Sequence, residues 1–302
     1  MDPKKPQEIL FFYIAQPLQL LACLLTFSIG MGLAHHLGNE IHWTDSIFGA
    51  LLGLFLILMR NSLSAYFDHP DNPGSTIRKE DLRYVELRST NRQTLLLWAL
   101  LFLTAGVLDI VILIVSRSLN FSAFLILGTA FLLSFFAVVP PVQFEKKGYG
   151  EISEAVLIAN FVPAIGFLLN DPDFHVLLFM LTFPLTLTYL AFKIVYSLET
   201  YSYDRARSIQ TLVMRLDWQK SMVSHNYLVL GAFLLVGVFS LLGQPWSLTW
   251  PMMLPLTLGI FQIFQVQGIA NGAPPRWRLL KWTALSTFAV TAYLASFTLW
   301  IS

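Results

Sequence analysis

Nine apolar stretches, each long enough to cross a bilayer, fix what kind of object this chain can be. A hydrocarbon core about 30 Å thick is crossed by roughly 20 helical residues. The stretches fall at about 15–36, 44–67, 93–116, 120–140, 151–170, 174–200, 225–243, 246–268 and 280–301. Turn and breaker clusters separate them: Gly38-Asn39, Pro70 to Gly74, Pro140-Pro141, Asn170-Asp171-Pro172, Gly243-Gln244-Pro245 and Gly272 to Pro275. Only 12% of the 302 residues are charged, against about 25% in a soluble domain. Such a chain cannot cover a water-facing surface, so lipid is its main solvent. The expected fold class is all-α, a polytopic membrane protein of nine transmembrane helices forming one membrane domain.

The few charges are sorted along the chain. Lys4 and Lys5 precede the first segment. Arg78, Lys79, Arg83, Arg88 and Arg92 follow the second, and Lys146 and Lys147 follow the fourth. Arg205, Arg207, Arg215 and Lys220 follow the sixth, and Arg276, Arg278 and Lys281 precede the ninth; the alternate loops hold only Arg117. With nine spans every basic loop falls on one side, which the positive-inside rule makes cytoplasmic. The expectation is an integral plasma (inner) membrane protein, N-terminus cytoplasmic and C-terminus outside. A net charge of +1 gives no bulk attraction to nucleic acid. Cys23 is the sole cysteine, so neither a disulfide nor a cysteine metal site can be built.

The second and sixth segments run in parallel, and both lead into long basic loops. Their ends are alike: Ser62-Leu63-Ser64-Ala65-Tyr66 against Ser197-Leu198-Glu199-Thr200-Tyr201. This suggests two related four-helix halves, about 10–145 and 146–270, plus a ninth helix; chance likeness between apolar helices is an equal rival. In the second segment Arg60, Ser64 and Asp68 recur every four residues on one helix face. In the sixth, Lys193, Ser197, Thr200 and Asp204, at i, i+4, i+7 and i+11, again share one face. A charge at mid-bilayer costs about 2.5–3.5 kcal/mol on insertion scales, which makes each of these a functional candidate. Arg60 and Lys193 also lie close enough to the interface to snorkel. Asp109, deep in the third segment, has three readings: an ion-pair partner holding helices together, a residue near the outer surface, or a base. Glu151 and Glu154 open the fifth segment, where acids favour the helix dipole.

Two acid-tipped stripes at one end of a bundle suit a metal-bound diphosphate. Magnesium takes oxygen ligands, commonly one or two carboxylates plus substrate phosphates. Basic side chains at the mouth, Arg78, Lys146, Lys147 and Arg205, are placed for the outer phosphate oxygens, with Arg60 and Lys193 lower in the chamber. An allylic cation left behind needs aromatic walls and little water. No Walker-type phosphate loop, dinucleotide fingerprint or His-Glu-x-x-His is present.

The segment Leu198 to Leu216, LETYSYDRARSIQTLVMRL, resembles the second acidic motif of the UbiA superfamily of intramembrane prenyltransferases. Asp204 fills its second acid position, Thr200 stands at the first, and Thr211, Leu212, Arg215 and Leu216 fit the trailing pattern. Ser64-Ala65-Tyr66-Phe67-Asp68 resembles the first motif: Asp68 keeps an acid, Ser64 and Ala65 replace an Asn-Asp pair, and Asp71 or Asn72 stands a turn later. Pro140-Pro141 followed by Lys147-Gly148-Tyr149-Gly150-Glu151 is most similar to the quinone-pathway branch that prenylates dihydroxynaphthoate.

The resemblance implies a nine-helix bundle around a central cavity opening to the cytoplasm. It implies Mg2+ on Asp68, Asp71, Glu199 and Asp204, with diphosphate on Arg60, Arg78, Lys146, Lys147, Lys193 and Arg205. Asp68 and Asp204 would be catalytic, with Asp109 as the base. The partners implied are a prenyl diphosphate, an aromatic or lipid acceptor and membrane lipids. Two motif acids are replaced, which motivates a rival reading: a protein that binds an isoprenoid or quinone without turning it over. A transporter is a third reading, weakened because the repeat is parallel rather than inverted.

Overall fold

The computed structural model describes residues 14–72, 87–88, 90–116 and 119–301. Its helices are α1 (Pro17–His36), α2 (Trp43–Asp68), α3 (Arg92–Val115), α4 (Phe121–Val138), α5 (Gly150–Leu168) and α6 (Val176–Arg207). They continue with the short α7 (Leu212–Leu216), then α8 (Trp218–Leu241), α9 (Trp246–Ala270) and α10 (Trp277–Ile301). Among the described residues nine of these are long and apolar enough to cross a membrane, and none forms a strand. They match the nine segments expected from sequence.

Two boundaries differ. α8 starts at Trp218 rather than near 225, because Ser221 and Met222 are buried although their neighbours Gln219 and Lys220 are exposed. α6 runs on to Arg207, where Ser208 at φ 56° turns the chain and closes the helix. A criterion of unbroken apolar residues misses both extensions, since each is polar on one side only.

The helices divide into a centre and a lipid-facing shell. The apolar stretch of α5 is 78% buried and that of α6 72%, against 22% for α3. Leu97, Leu101, Leu108 and Val115 of α3 are accordingly exposed. In water such a face would be a liability; in lipid it is the solvated surface. Lipid removes the usual hydrophobic drive between helices, so close packing of small residues does more of the holding. The contact of α1 with α5 shows how. A Cβ on Gly30 would lie 1.9 Å from the Pro163 carbonyl oxygen, and one on Gly166 would lie 2.6 Å from that of Phe27. The two backbones touch because neither residue has a side chain. Within α5 the turn widens at Leu157–Phe161. Pro163 has no N–H for the carbonyl four residues back, and Asn160 in the widened turn donates its side-chain amide to the Thr186 hydroxyl of α6.

α2 and α6 both end, and α5 begins, at the end of the bundle that carries the basic residues. The 139–149 connection folds in beside them. Gly148 adopts φ +74°, and a Cβ there would sit 2.8 Å from the Thr211 carbonyl oxygen. Arg215 stacks over the Tyr149 ring, 4.2 Å from its centroid, and donates to the Lys147 carbonyl at 2.9 Å. This clamp joins the 145–150 and 211–215 segments, so the Gly148, Tyr149 and Arg215 positions of the sequence motifs are framework.

Candidate functional site

A cavity of about 700 Å3 lies at this end. Its wall includes the start of α1, the ends of α2 and α4, the Glu145-Lys146 turn, the start of α5, the second half of α6 and residues 208–211. The polar stripe anticipated on α2 faces it whole, with Arg60, Ser64 and Asp68, and the one on α6 faces it through Lys193, Ser197 and Thr200 but not its last member, Asp204. They do so because residues four apart on a helix share a face and the two helices finish side by side.

The charged groups of the wall form a self-paired set. Arg60 is 3% exposed and donates to Glu145 Oε1 through Nε at 3.0 Å and Nη2 at 2.7 Å, while Ser64 donates to Glu145 Oε2 at 3.0 Å. Lys193 Nζ lies 3.0 Å from Glu154 Oε2, and Tyr189 donates its hydroxyl to Glu154 Oε1 at 2.6 Å. Glu151 accepts from Ser197 at 2.9 Å and from the Leu212 N–H at 3.2 Å. Lys146 Nζ lies 3.5 Å from Asp68 Oδ1 at the mouth, each side chain about a quarter exposed. Three cations (Arg60, Lys146, Lys193) thus face four carboxylates (Asp68, Glu145, Glu151, Glu154) across one space. Desolvated charges persist in such a place only when paired and hydrogen-bonded. On α6 the rings of Tyr189, Phe192 and Tyr196 form a ladder, with centroids 5.6 Å and 4.9 Å apart, and all three line the cavity.

The remaining residues expected at the site lie elsewhere. Asp204 is buried behind the wall and accepts from Thr200 Oγ1 at 2.7 Å. Glu199 points away from the cavity: it pairs with Lys281 of α10 at 2.7 Å, because one residue along a helix is a turn of about 100°. Asp71 sits past the end of α2 with its side chain 78% exposed, 3.5 Å from His69 Nδ1. Asp109 is buried in the half of α3 away from the basic end, does not line the cavity, and leaves Oδ2 without a partner. Lys147 and Arg205 are exposed outside the cavity, and Arg78 lies outside the described residues.

Sequence reading passed over Glu145 and Tyr189, gave Glu154 to the helix dipole, and placed Glu151 in the motif patch that opens the fifth segment. Glu154 is instead an ion-pair partner, 6% exposed. The signal was available: two intramembrane cations at one depth require counter-charges, and the acids closest to that depth open the fifth segment.

These features define a class: a helical membrane bundle with a chamber at one end, its wall interleaving paired charges with aromatic rings. Solved structures share the fold. The chain is similar to a UbiA homolog from Archaeoglobus fulgidus bound to GPP and Mg2+, with TM-score 0.70 and 14% identity over 97% of this chain and 99% of that one. It is similar to a digeranylgeranylglyceryl phosphate synthase, with TM-score 0.62 and 15% identity over 95% and 99%. An apo UbiA homolog from Aeropyrum pernix K1 gives TM-score 0.64 and 12% identity over 89% and 94%. The chain therefore has the fold of UbiA homologs over about nine-tenths or more of its length. No family model matches the sequence, and no curated protein matches it.

Archaeoglobus fulgidus homologs have been solved with Mg2+ and with Cd2+. Among the described residues the donors do not fit a magnesium cluster. Among the described residues no group of three or more His, Cys, Asp or Glu is placed to hold a metal ion. The set expected from sequence, Asp68, Asp71, Glu199 and Asp204, does not assemble in the cavity wall: only Asp68 faces the space.

Proposed function

We propose that this protein is an intramembrane prenyltransferase of the UbiA type, moving a prenyl group from a prenyl diphosphate to an acceptor that shares the cavity. The observation that carries this reading is the order of chemistry along α6. Thr200, Ser197 and Lys193 stand toward the mouth, interleaved with a ladder of Tyr196, Phe192 and Tyr189 that leads inward. The diphosphate sits at the mouth against Lys146 and Lys193, with Asp68 beside it and Arg60 fixing the wall below. The prenyl chain lies along the rings. As the C1–O bond of the donor breaks, its electron pair leaves on the diphosphate, and the ring faces stabilise the positive carbon. The chamber keeps bulk water from that carbon. The acceptor attacks C1 and gives up a proton.

The basic end faces the cytoplasm in this reading, with Ser302 outside, and the two four-helix halves are duplicated units. The likeness of the 140–151 patch to the quinone-pathway branch sets the order of acceptors to try, hydroxylated aromatics first and glycerol-phosphate lipids second. The test is purified protein in nanodiscs with isotopically labelled prenyl diphosphates of graded length and both acceptor classes. Acceptor-dependent release of diphosphate with formation of prenylated product supports the proposal. Absence of product with every pair would falsify it.

One observation favours a second reading, an isoprenoid-binding protein without turnover. Thr200 replaces a motif acid, and the cations and carboxylates of the wall are close to balanced, which suits a neutral lipid head. Stabilisation by polyprenyl alcohols or quinones, together with none by prenyl diphosphates, separates this from the first.

A further inference from the structure

Resting on the reading that the cavity receives a prenyl diphosphate, we infer that it does so without a divalent metal, its own fixed ammonium groups meeting the anionic head. Magnesium needs carboxylate oxygens with room for the ion, and it dehydrates reluctantly. The carboxylates of this wall are already engaged. Glu145 holds two Arg60 N–H groups and the Ser64 hydroxyl. Glu154 holds Lys193 and Tyr189. Glu151 holds Ser197 and the Leu212 N–H. Asp68, the acid at the mouth, has the Lys146 ammonium at 3.5 Å. A metal ion at any of these displaces a bonded donor or sits against a cation of like sign.

The α6 side of the mouth repeats the pattern. Thr200 presents a neutral hydroxyl to the cavity and uses it on Asp204, which lies behind the wall. The other acid of that turn, Glu199, is held on a different face by Lys281. What the mouth does offer an anion is ammonium groups. Lys146 and Lys193 line the cavity 27% and 24% exposed, each within ion-pair distance of a carboxylate that an incoming diphosphate can displace. A diphosphate competes with Asp68 for Lys146. When the C1–O bond breaks, the charge that develops on the leaving oxygen is met by these N–H donors, with no co-reactant beyond the acceptor.

The test uses the full chain in nanodiscs. Mn2+ alone is titrated and followed by the EPR signal of the free ion. Geranyl diphosphate is titrated calorimetrically in EDTA and in excess Mg2+. The expected result is no stoichiometric Mn2+ binding and geranyl diphosphate affinities in the two buffers within about threefold. Lys146→Met should weaken binding about tenfold in EDTA, as removal of a charge-assisted donor does. Thr200→Asp, which sets a carboxylate beside Asp204, should create Mn2+ binding and make diphosphate affinity depend on metal by about tenfold or more. Stoichiometric Mn2+ binding by the unaltered protein, or a loss of about tenfold or more on adding EDTA, overturns the inference. Failure of the underlying reading looks different: geranyl diphosphate binds in neither buffer. In that event the Mn2+ titration still decides the metal claim, absence of binding supporting it and stoichiometric binding refuting it.

Discussion

The Arg60–Glu145 pair is the most exacting place to test the site's architecture. Arg60 is a guanidinium 3% exposed within a membrane helix, held by two N–H bonds of 2.7 and 3.0 Å to one carboxylate oxygen. Glu145→Ala removes those bonds and the acceptor of Ser64, stranding a buried charge. Breaking a buried pair from one side costs about 3–5 kcal/mol. Two features set the expectation at the low end, about 3 kcal/mol. Glu145 is 31% exposed, so water reaches the vacated space, and the Ser153 hydroxyl at 3.3 Å and Gly150 carbonyl at 3.4 Å remain as weak acceptors for Arg60. The double variant Arg60→Met/Glu145→Leu removes both charges and should cost about 1 kcal/mol or less, because packed apolar groups replace a buried pair at little loss. Equilibrium unfolding in mixed detergent–SDS micelles, followed by tryptophan fluorescence, gives both values, with the double variant about 2 kcal/mol more stable than Glu145→Ala. A double variant no more stable than Glu145→Ala, or a Glu145→Ala protein within about 0.5 kcal/mol of the original, would refute the reasoning.

Other consequences follow from the same geometry. Gly30→Ala drives a Cβ to 1.9 Å from the Pro163 carbonyl oxygen, a backbone atom that cannot rotate away, so the same unfolding assay should show a loss of about 3 kcal/mol. Asp68→Asn removes the competitor for Lys146 and should strengthen geranyl diphosphate binding; Glu199→Gln, facing Lys281 instead, should leave calorimetric affinity within about twofold. An equal change in both variants contradicts the assignment of faces. At Asp217, in the connection between α7 and α8, the Tyr201 hydroxyl donates at 2.7 Å and, with the Trp218 N–H, holds the carboxyl below the usual carboxylate range. A depressed native value stabilises the fold above the unfolded value of about 3.9 and loses that stabilisation as pH falls through the native value. The melting difference between the original and Tyr201→Phe should therefore be full near neutrality and shrink below about pH 4.

How far the sequence reaches depends on which interactions are local. Nine spans and the sorting of Lys and Arg could be read because helix length and apolarity are properties of single segments. The stripes Arg60-Ser64-Asp68 and Lys193-Ser197-Thr200 were legible for the same reason: a helix puts residues four apart on one face whatever surrounds it. Partners between segments were not legible. Nothing near Glu199 in sequence announces Lys281, 82 positions later, and nothing near Glu145 announces Arg60. The shift of one residue between Thr200 and Glu199 decides which faces the chamber, and only the packing of α6 against α10 settles that. Glu154 was misread because a helix-dipole role explained it locally, while its partners Tyr189 and Lys193 lie on another helix.

The central claim is that a prenyl diphosphate occupies the chamber between α2 and α6. The most direct measurement is an experimental structure in nanodiscs with geranyl thiolodiphosphate, a donor analogue whose C1–S bond resists cleavage. The account predicts diphosphate density against Lys146 and Lys193, with the geranyl chain along Tyr196, Phe192 and Tyr189. Density for the analogue outside this chamber, or a chamber holding only lipid at saturating analogue, would contradict it.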